Sequence, residues 1–276
     1  MKSFFTLYVK ELKAHKIRFF FLLLLVFGMN AYGVIRVENV SPERFVSKEN
    51  IASDEFIQRY IQISNSLIGI MWPVSLAKTI LVFSLPFLLA HAFDSEWQSK
   101  THYLMFALPV SQYTVILAKV AAVASIGFVG GGIVIGSMYL SMTHIADLLI
   151  ASEAKFIFGV ERMPFFDFVL IASLILVVYM IFIFGIVTGM EGVKFSVKRY
   201  RRLAAVASFL VFFLFGFFAL EGLRIFTILQ MQALPFTYNG RFIFMETSVA
   251  PYFYTILMGV IFMIIGLVMY EKRAEI

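Results

Sequence analysis

Six runs of the chain carry at most one charge each and are long enough to cross a bilayer: residues 17–35, 73–93, 114–141, 168–190, 203–220 and 251–270. About 20 apolar residues in a helix span the hydrocarbon core. Inside that core every backbone amide and carbonyl must be satisfied internally, which leaves helices and closed barrels as the only spanning structures. Runs of this length predict helices. The composition agrees: 14% of the residues are charged, against about 25% in a soluble domain. The expected fold class is an all-α integral membrane protein with six transmembrane helices, in which residues 1–276 form one transmembrane domain. A signal peptide competes for the first run. Its apolar region would be only about 7–15 residues and would end at a small-residue cleavage site; this run is longer and no Ala-x-Ala follows, so it reads as a retained helix.

The segments between the runs set orientation. Residues 2–16 place Phe5, Tyr8, Val9 and Leu12 on one helical face and Lys2, Thr6, Lys10 and Lys13 on the other. That pattern predicts an amphipathic helix at the membrane surface, with its lysines toward lipid head groups. Residues 36–53 are polar, and Phe56, Tyr60, Ile63, Leu67 and Ile70 then repeat at helical spacing. Trp72-Pro73 is expected to end that helix and start the second span. Asp167 is expected to cap the fourth span. Glu191 to Arg202 holds five basic residues, which read as a topology signal. In 221–250, Pro235 and Asn239-Gly240 break two short apolar pieces, so short helices or a re-entrant hairpin are expected. With 1–16, 94–113, 191–202 and 271–276 on one side, that side has twelve Lys and Arg against six Asp and Glu. The other side has eight against eleven. Lys and Arg collect in cytoplasmic loops, so both termini are expected in the cytoplasm.

Several chemistries find no support. There is no cysteine, hence no disulfide, thiolate metal site or cysteine nucleophile. None of His15, His91, His102 and His144 forms a zinc-protease pair. The third span is rich in glycine, but Ser137 follows Gly136 without the lysine of a phosphate-binding loop. Gly132 and Gly136 instead make a Gly-x-x-x-Gly pair, expected to let two helix backbones approach closely. Ser75 and Lys78 fit Ser-x-x-Lys, which can activate a serine, but stand without the companion motifs. Lys78 reads as a snorkelling side chain. Glu221 and Glu246 flank the last outer segment, where capping or ion pairing is favoured over cation binding. Catalytic, cofactor-binding and metal-ligating residues are therefore expected to be absent from this chain.

The stretch from Asp94 to Lys119 is a polar-to-amphipathic break between the second and third runs. Asp94 and Glu96 open it, and Tyr103 to Leu108 is apolar. Pro109 stops any helix, and Ser111 is a plausible N-cap for the next. Asp94, Glu96, Leu108, Pro109, Val110, Ser111 and Lys119 resemble the loop between the second and third helices of ABC-2 type permeases. Where that family has a Gly and Thr-Leu spacing, this chain has Ser99-Lys100-Thr101. The layout of the whole chain is similar to the family as well, from the elbow helix before the first span to the charged end at Glu271-Lys272-Arg273.

The resemblance implies the ABC-2, type V exporter-like fold. It implies a permease subunit of an ATP-binding cassette exporter in the plasma membrane, paired with a second permease subunit and driven by a separate ATPase subunit that holds ATP and Mg. Asp94, Glu96, Tyr103, Leu104, Phe106, Pro109, Ser111 and Lys119 would then couple to the ATPase, with Tyr103, Leu104 and Phe106 filling an apolar cleft on it. Nucleic acid is not an expected partner; membrane lipid is. The competing readings are a membrane enzyme built on Ser75 and Lys78, and an ion-coupled secondary transporter or channel. A secondary transporter would often show inverted repeats and broken spans, and no convincing repeat is visible.

The absence of native cysteine makes topology directly measurable. Single cysteines at Ser47 and Ser152 should react with an impermeant thiol reagent applied from outside the cell, whereas cysteines at Ser99 and Ser196 should not. External labelling at Ser99 would overturn the topology.

Overall fold

The computed structural model describes residues 2–40, 53–98, 111–151, 164–197, 199–222, 234–238, 241–245 and 250–274. Among them are seven helices and one hairpin: α1 (Lys2–Ala14), α2 (Lys16–Glu38), α3 (Ser53–Gln98), α4 (Gln112–Ala151), α5 (Phe165–Ser196), α6 (Arg201–Gly222), β1 (Leu234–Tyr238), β2 (Arg241–Met245) and α7 (Ala250–Ala274). Helices α2 to α7 each contain a stretch long and apolar enough to cross a membrane. Their outer surfaces match that medium: Phe83, Phe87, Phe166, Leu203, Phe215 and Phe218 are 64–73% exposed, a density of bare aromatic and aliphatic surface that water would not tolerate. The chain is a multi-pass membrane protein.

The helices contribute to two compact units. One comprises Ile17–Ser84 and Ile126–Leu174. Its core joins α2, α3 and α4 through Val26, Leu81 and Val134, and through Val37, Val40, Ile70 and Leu148. Two glycines permit the close approach. A Cβ at Gly33 would meet Val74 and Pro73, and one at Gly130 would meet Leu81 and Leu23. A polar clasp lies between these contacts. Buried Asn30 donates to the Val26 carbonyl at 2.7 Å and accepts from the Ser137 hydroxyl at 2.5 Å. In hydrocarbon such an interhelical bond replaces the water that neither group can reach.

The second unit comprises Met1–Lys16, Leu85–Ser125 and Ile175–Ile276. Here α5 and α7 meet along a glycine seam. A Cβ on Gly185 would collide with the backbone of Gly259, one on Gly189 with the ring of Phe262, and one on Gly192 with the backbone of Gly266. Gly185 and Gly189 are a Gly-x-x-x-Gly pair, and Gly192 continues the same face one turn on. Aromatic rings fill the flank: Phe212 stacks on Phe262 with centroids 4.9 Å apart, and Phe213 lies edge-on to Phe182 at 5.4 Å. Tyr254 donates its hydroxyl to the Phe213 carbonyl at 2.8 Å.

Two expectations are corrected and two others are met by a different arrangement of the described residues. First, Trp72-Pro73 does not divide two helices, because α3 runs unbroken across it. Pro73 removes one backbone donor, a loss that membrane helices accommodate when neighbours pack the site; Pro73 and Val74 are both buried, and Gly33 supplies the room. Second, Asp167 is not the cap of α5. The Phe168 amide bonds the Pro164 carbonyl at 3.1 Å, so Pro164 occupies the cap and Asp167 sits in the first turn, where its charge opposes the positive end of the helix dipole. Third, within 221–250, where short helices or a re-entrant hairpin are expected, residues 234–238 and 241–245 form a β-hairpin, and the apolar piece 223–231 lies outside the described residues. The hairpin's register pairs Tyr238 with Arg241, and the sequence between them is Asn-Gly, the dipeptide that tight hairpin turns prefer. Pro235 is admissible because both strands are edges. Fourth, among the described residues a Cβ at Gly132 or Gly136 would meet nothing within 4 Å, so within one chain the observed close approach is made by other glycines.

Gly185→Ala and Gly192→Ala should each destabilise the protein by about 1–3 kcal/mol, since backbone rather than a movable side chain blocks the new methyl group. Gly132→Ala should be neutral or stabilising by up to about 1 kcal/mol, through helix propensity alone. Thermal unfolding of the purified protein in detergent distinguishes the two classes; equal losses at all three positions would refute the seam.

Candidate functional site

Two groups of ion pairs in the second unit lie near the C-terminal end of α3. Lys119 on α4 has 1% of its surface exposed. Its Nζ donates to Glu11 Oε1 of α1 at 2.9 Å and to the Ala92 carbonyl of α3 at 3.2 Å. One side chain therefore ties three helices. Glu11 is itself buried, and its other oxygen lies 3.7 Å from His15 Nε2. The His15 ring stands edge-on to that of His91 on α3, centroids 5.8 Å apart. Further along α1, Tyr8 and Ser125 of α4 are 2.7 Å apart. Ser125 directs its proton to the Ala121 carbonyl, which makes Tyr8 the donor.

Two residues beyond Ala92 a second knot forms. Lys194 on α5 donates to Asp94 Oδ1 at 2.7 Å and to Glu191 at 2.8 and 3.1 Å. Glu191 and Lys194 are one turn apart on α5, so their mutual contact is local; Asp94 is the partner that joins α5 to α3. A cleft of about 120 Å³ opens here, lined by Asp94, Glu191, Lys194, Phe195 and Arg201. Tyr113 at the start of α4 also bonds Glu271 near the end of α7. The end of α3 is thus bonded by both Lys119 and Lys194.

The residues expected to couple to a partner fare differently. Asp94 is half-buried and engaged by Lys194. Glu96 lies on α3, within its last turn. Tyr103, Leu104, Phe106 and Pro109 lie outside the described residues. Ser111 occupies the cap of α4 as expected: its carbonyl accepts from the Thr114 amide at 2.9 Å, and the two hydroxyls are 2.7 Å apart. Lys119, expected on a docking surface, is enclosed by the chain's own helices. Ser75 and Lys78 are both exposed on α3, and among the described residues no hydrogen bond or ion pair joins them.

Sequence reading missed Glu11, His15, Glu191 and Lys194. A signal existed for the first two. Phe4, Tyr8, Glu11 and His15 follow the 4-3-4 spacing of one helix face, but the face mixes aromatic, acidic and basic side chains and so carries no hydrophobic period. The five basic residues of 191–202 looked uniform; only contact with Asp94 separates Lys194 from the rest.

No protein-family model matches the chain, and no curated protein or solved structure matches it.

Removing one member of a buried ion pair strands the other, at a cost of about 3–5 kcal/mol. Lys119→Ala should destabilise the protein by about that amount. The double variant Glu11→Leu, Lys119→Met should recover most of the loss, since a packed apolar pair of similar volume is often no worse than the ions. Thermal unfolding in detergent reads both; a Lys119→Ala variant as stable as the parent would show that the pair does not hold the helices.

Proposed function

We propose that this chain is the membrane-embedded permease subunit of an ATP-driven exporter of ABC-2 type, working with a second permease subunit and a separate ATPase subunit. One observation carries the reading: the end of α3, which leads directly into the loop that resembles a coupling helix, is joined by Lys119 to α1 and α4 and by Lys194 to α5. A loop that transmits force needs firm attachment to the spans it moves. Without such attachment a push on the loop would be lost in local bending. In this reading the loop lies in the cytoplasm, with both termini. Closure of the ATPases displaces it, and the end of α3 carries α1, α4 and α5 with it as a rigid group. That is the shear or hinge class of transition, in which packed elements switch between discrete arrangements.

The amphipathic α1 fits the part of the elbow helix, and six membrane-spanning helices fit the permease layout. The chemistry of ATP hydrolysis belongs to the partner, where ATP and Mg would bind. Asp94 serves in this reading as an anchor of α3, and Glu96, Tyr103, Leu104 and Phe106 as the docking surface.

The test is co-expression and co-purification with a candidate ABC-type ATPase subunit, followed by reconstitution into membranes. Glu96→Ala and Phe106→Ala should leave membrane insertion intact and lower ATPase recovery or uncouple hydrolysis from transport; a truncated aromatic anchor typically weakens an interface by about 2 kcal/mol or more. Lys194→Ala should retain ATPase binding and lose coupling. Normal partner binding and normal transport in all three variants would overturn the proposal.

A further inference from the structure

Helix α1 has three stripes. Phe4, Tyr8, Glu11 and His15 face the protein, and Tyr8 and Glu11 are bonded to α4. Phe5 and Val9 point away from it, 63% and 42% exposed. Thr6, Lys10 and Lys13 form a third, exposed stripe. Between the apolar and basic stripes runs a shallow, open groove lined by Phe5, Thr6, Val9, Lys10 and Lys13.

Two features make this groove selective. Glu11 is the only acid in α1, and it is turned inward to Lys119. The groove therefore presents two lysines and no carboxylate. Residues three apart on a helix are neighbours, about 5–6 Å between Cβ atoms, a spacing at which two ammonium groups can close on one phosphate. The bonds of Tyr8 and Glu11 also prevent α1 from rolling about its axis. The groove is thus held open toward the same direction before any ligand arrives, and preorganisation lowers the cost of binding. One residue separates α1 from the spanning helix α2, so α1 lies at the surface of the bilayer.

We propose that this groove is a binding site for an anionic phospholipid, with the phosphate held between Lys10 and Lys13 and an acyl chain laid along Phe5 and Val9. The charge complementarity selects the occupant: a zwitterionic lipid offers the same chain but a cancelled head-group charge, and a protein segment would have to bring both an anion and an apolar strip to the membrane surface. The site does not depend on the transport reading and stands or falls separately from it.

Native mass spectrometry of the purified full chain, exposed to phosphatidylglycerol and phosphatidylcholine in detergent, tests it. The parent should retain phosphatidylglycerol in preference to phosphatidylcholine. Lys10→Gln, Lys13→Gln should lower phosphatidylglycerol affinity roughly thirtyfold, the combined effect of two surface lysines on an anionic lipid. Lys10→Arg, Lys13→Arg should keep the preference, and Arg202→Gln should leave it unchanged. A salt titration of the parent needs no variant: retention should fall as ionic strength rises. Unchanged phosphatidylglycerol binding in the glutamine variant would overturn the site. So would an equal loss of both lipids, or a retention insensitive to salt. A change in subunit stoichiometry without a change in lipid would overturn it too, by making the face a protein interface.

Discussion

A lysine with 1% of its surface exposed must find its counter-charge inside the protein, and Lys119 finds it on another helix. Glu11 answers the charge, and the Ala92 carbonyl accepts a second hydrogen bond from the ammonium group. The three groups belong to α4, α1 and α3. None can leave without stranding the others in a medium that does not solvate charge. The pair also accounts for the composition of α1: a basic surface helix would have no use for a lone glutamate on its own account, and Glu11 is there for Lys119. Because the bond fixes the rotation of α1, it also decides which residues of that helix face outward.

Away from the charged ends, the helices associate by different means. Lipid is as apolar as leucine, so burying side chains supplies little drive between spans, and close packing and polar bonds take over. The seam of Gly185, Gly189 and Gly192 against Gly259, Phe262 and Gly266 does the first. The Asn30–Ser137 bond and the bond from Tyr254 to the Phe213 carbonyl do the second. Ion pairs gather where α3 approaches its end, and the glycine seam starts beside them, at Gly192 between Glu191 and Lys194, and continues along α5 and α7.

The spans were legible because bilayer thickness imposes a length on them, and each run maps onto one of α2 to α7. Their ends were less so. Pro73 looked like a boundary because proline breaks helices in water; here Gly33 gives its ring a tight seat and α3 continues. The hairpin was half-visible in Asn239-Gly240, but the apolar pieces on either side were too short for periodicity to separate strand from helix. At the candidate site, Asp94 and Ser111 were recognisable from local chemistry. Glu11 and Lys194 were not, since each depends on a partner about a hundred residues away. Gly132 and Gly136 have a spacing that permits close packing but meet no neighbour among the described residues, whereas Gly185 and Gly189, at the same spacing, do.

The central claim is that α1 is locked to α4 through the buried pair, and proximity between the two helices measures it directly. Tyr8→Cys and Ser125→Cys, introduced together into this cysteine-free chain, place two thiols across the α1–α4 contact. A short bifunctional thiol reagent applied to native membranes should join them, shifting the chain's mobility when it is cut between the two positions. In a Lys119→Ala background the yield of cross-linked chain should fall sharply, since α1 is then free to move from α4. Failure to cross-link in the parent, or an undiminished yield without Lys119, would contradict the account.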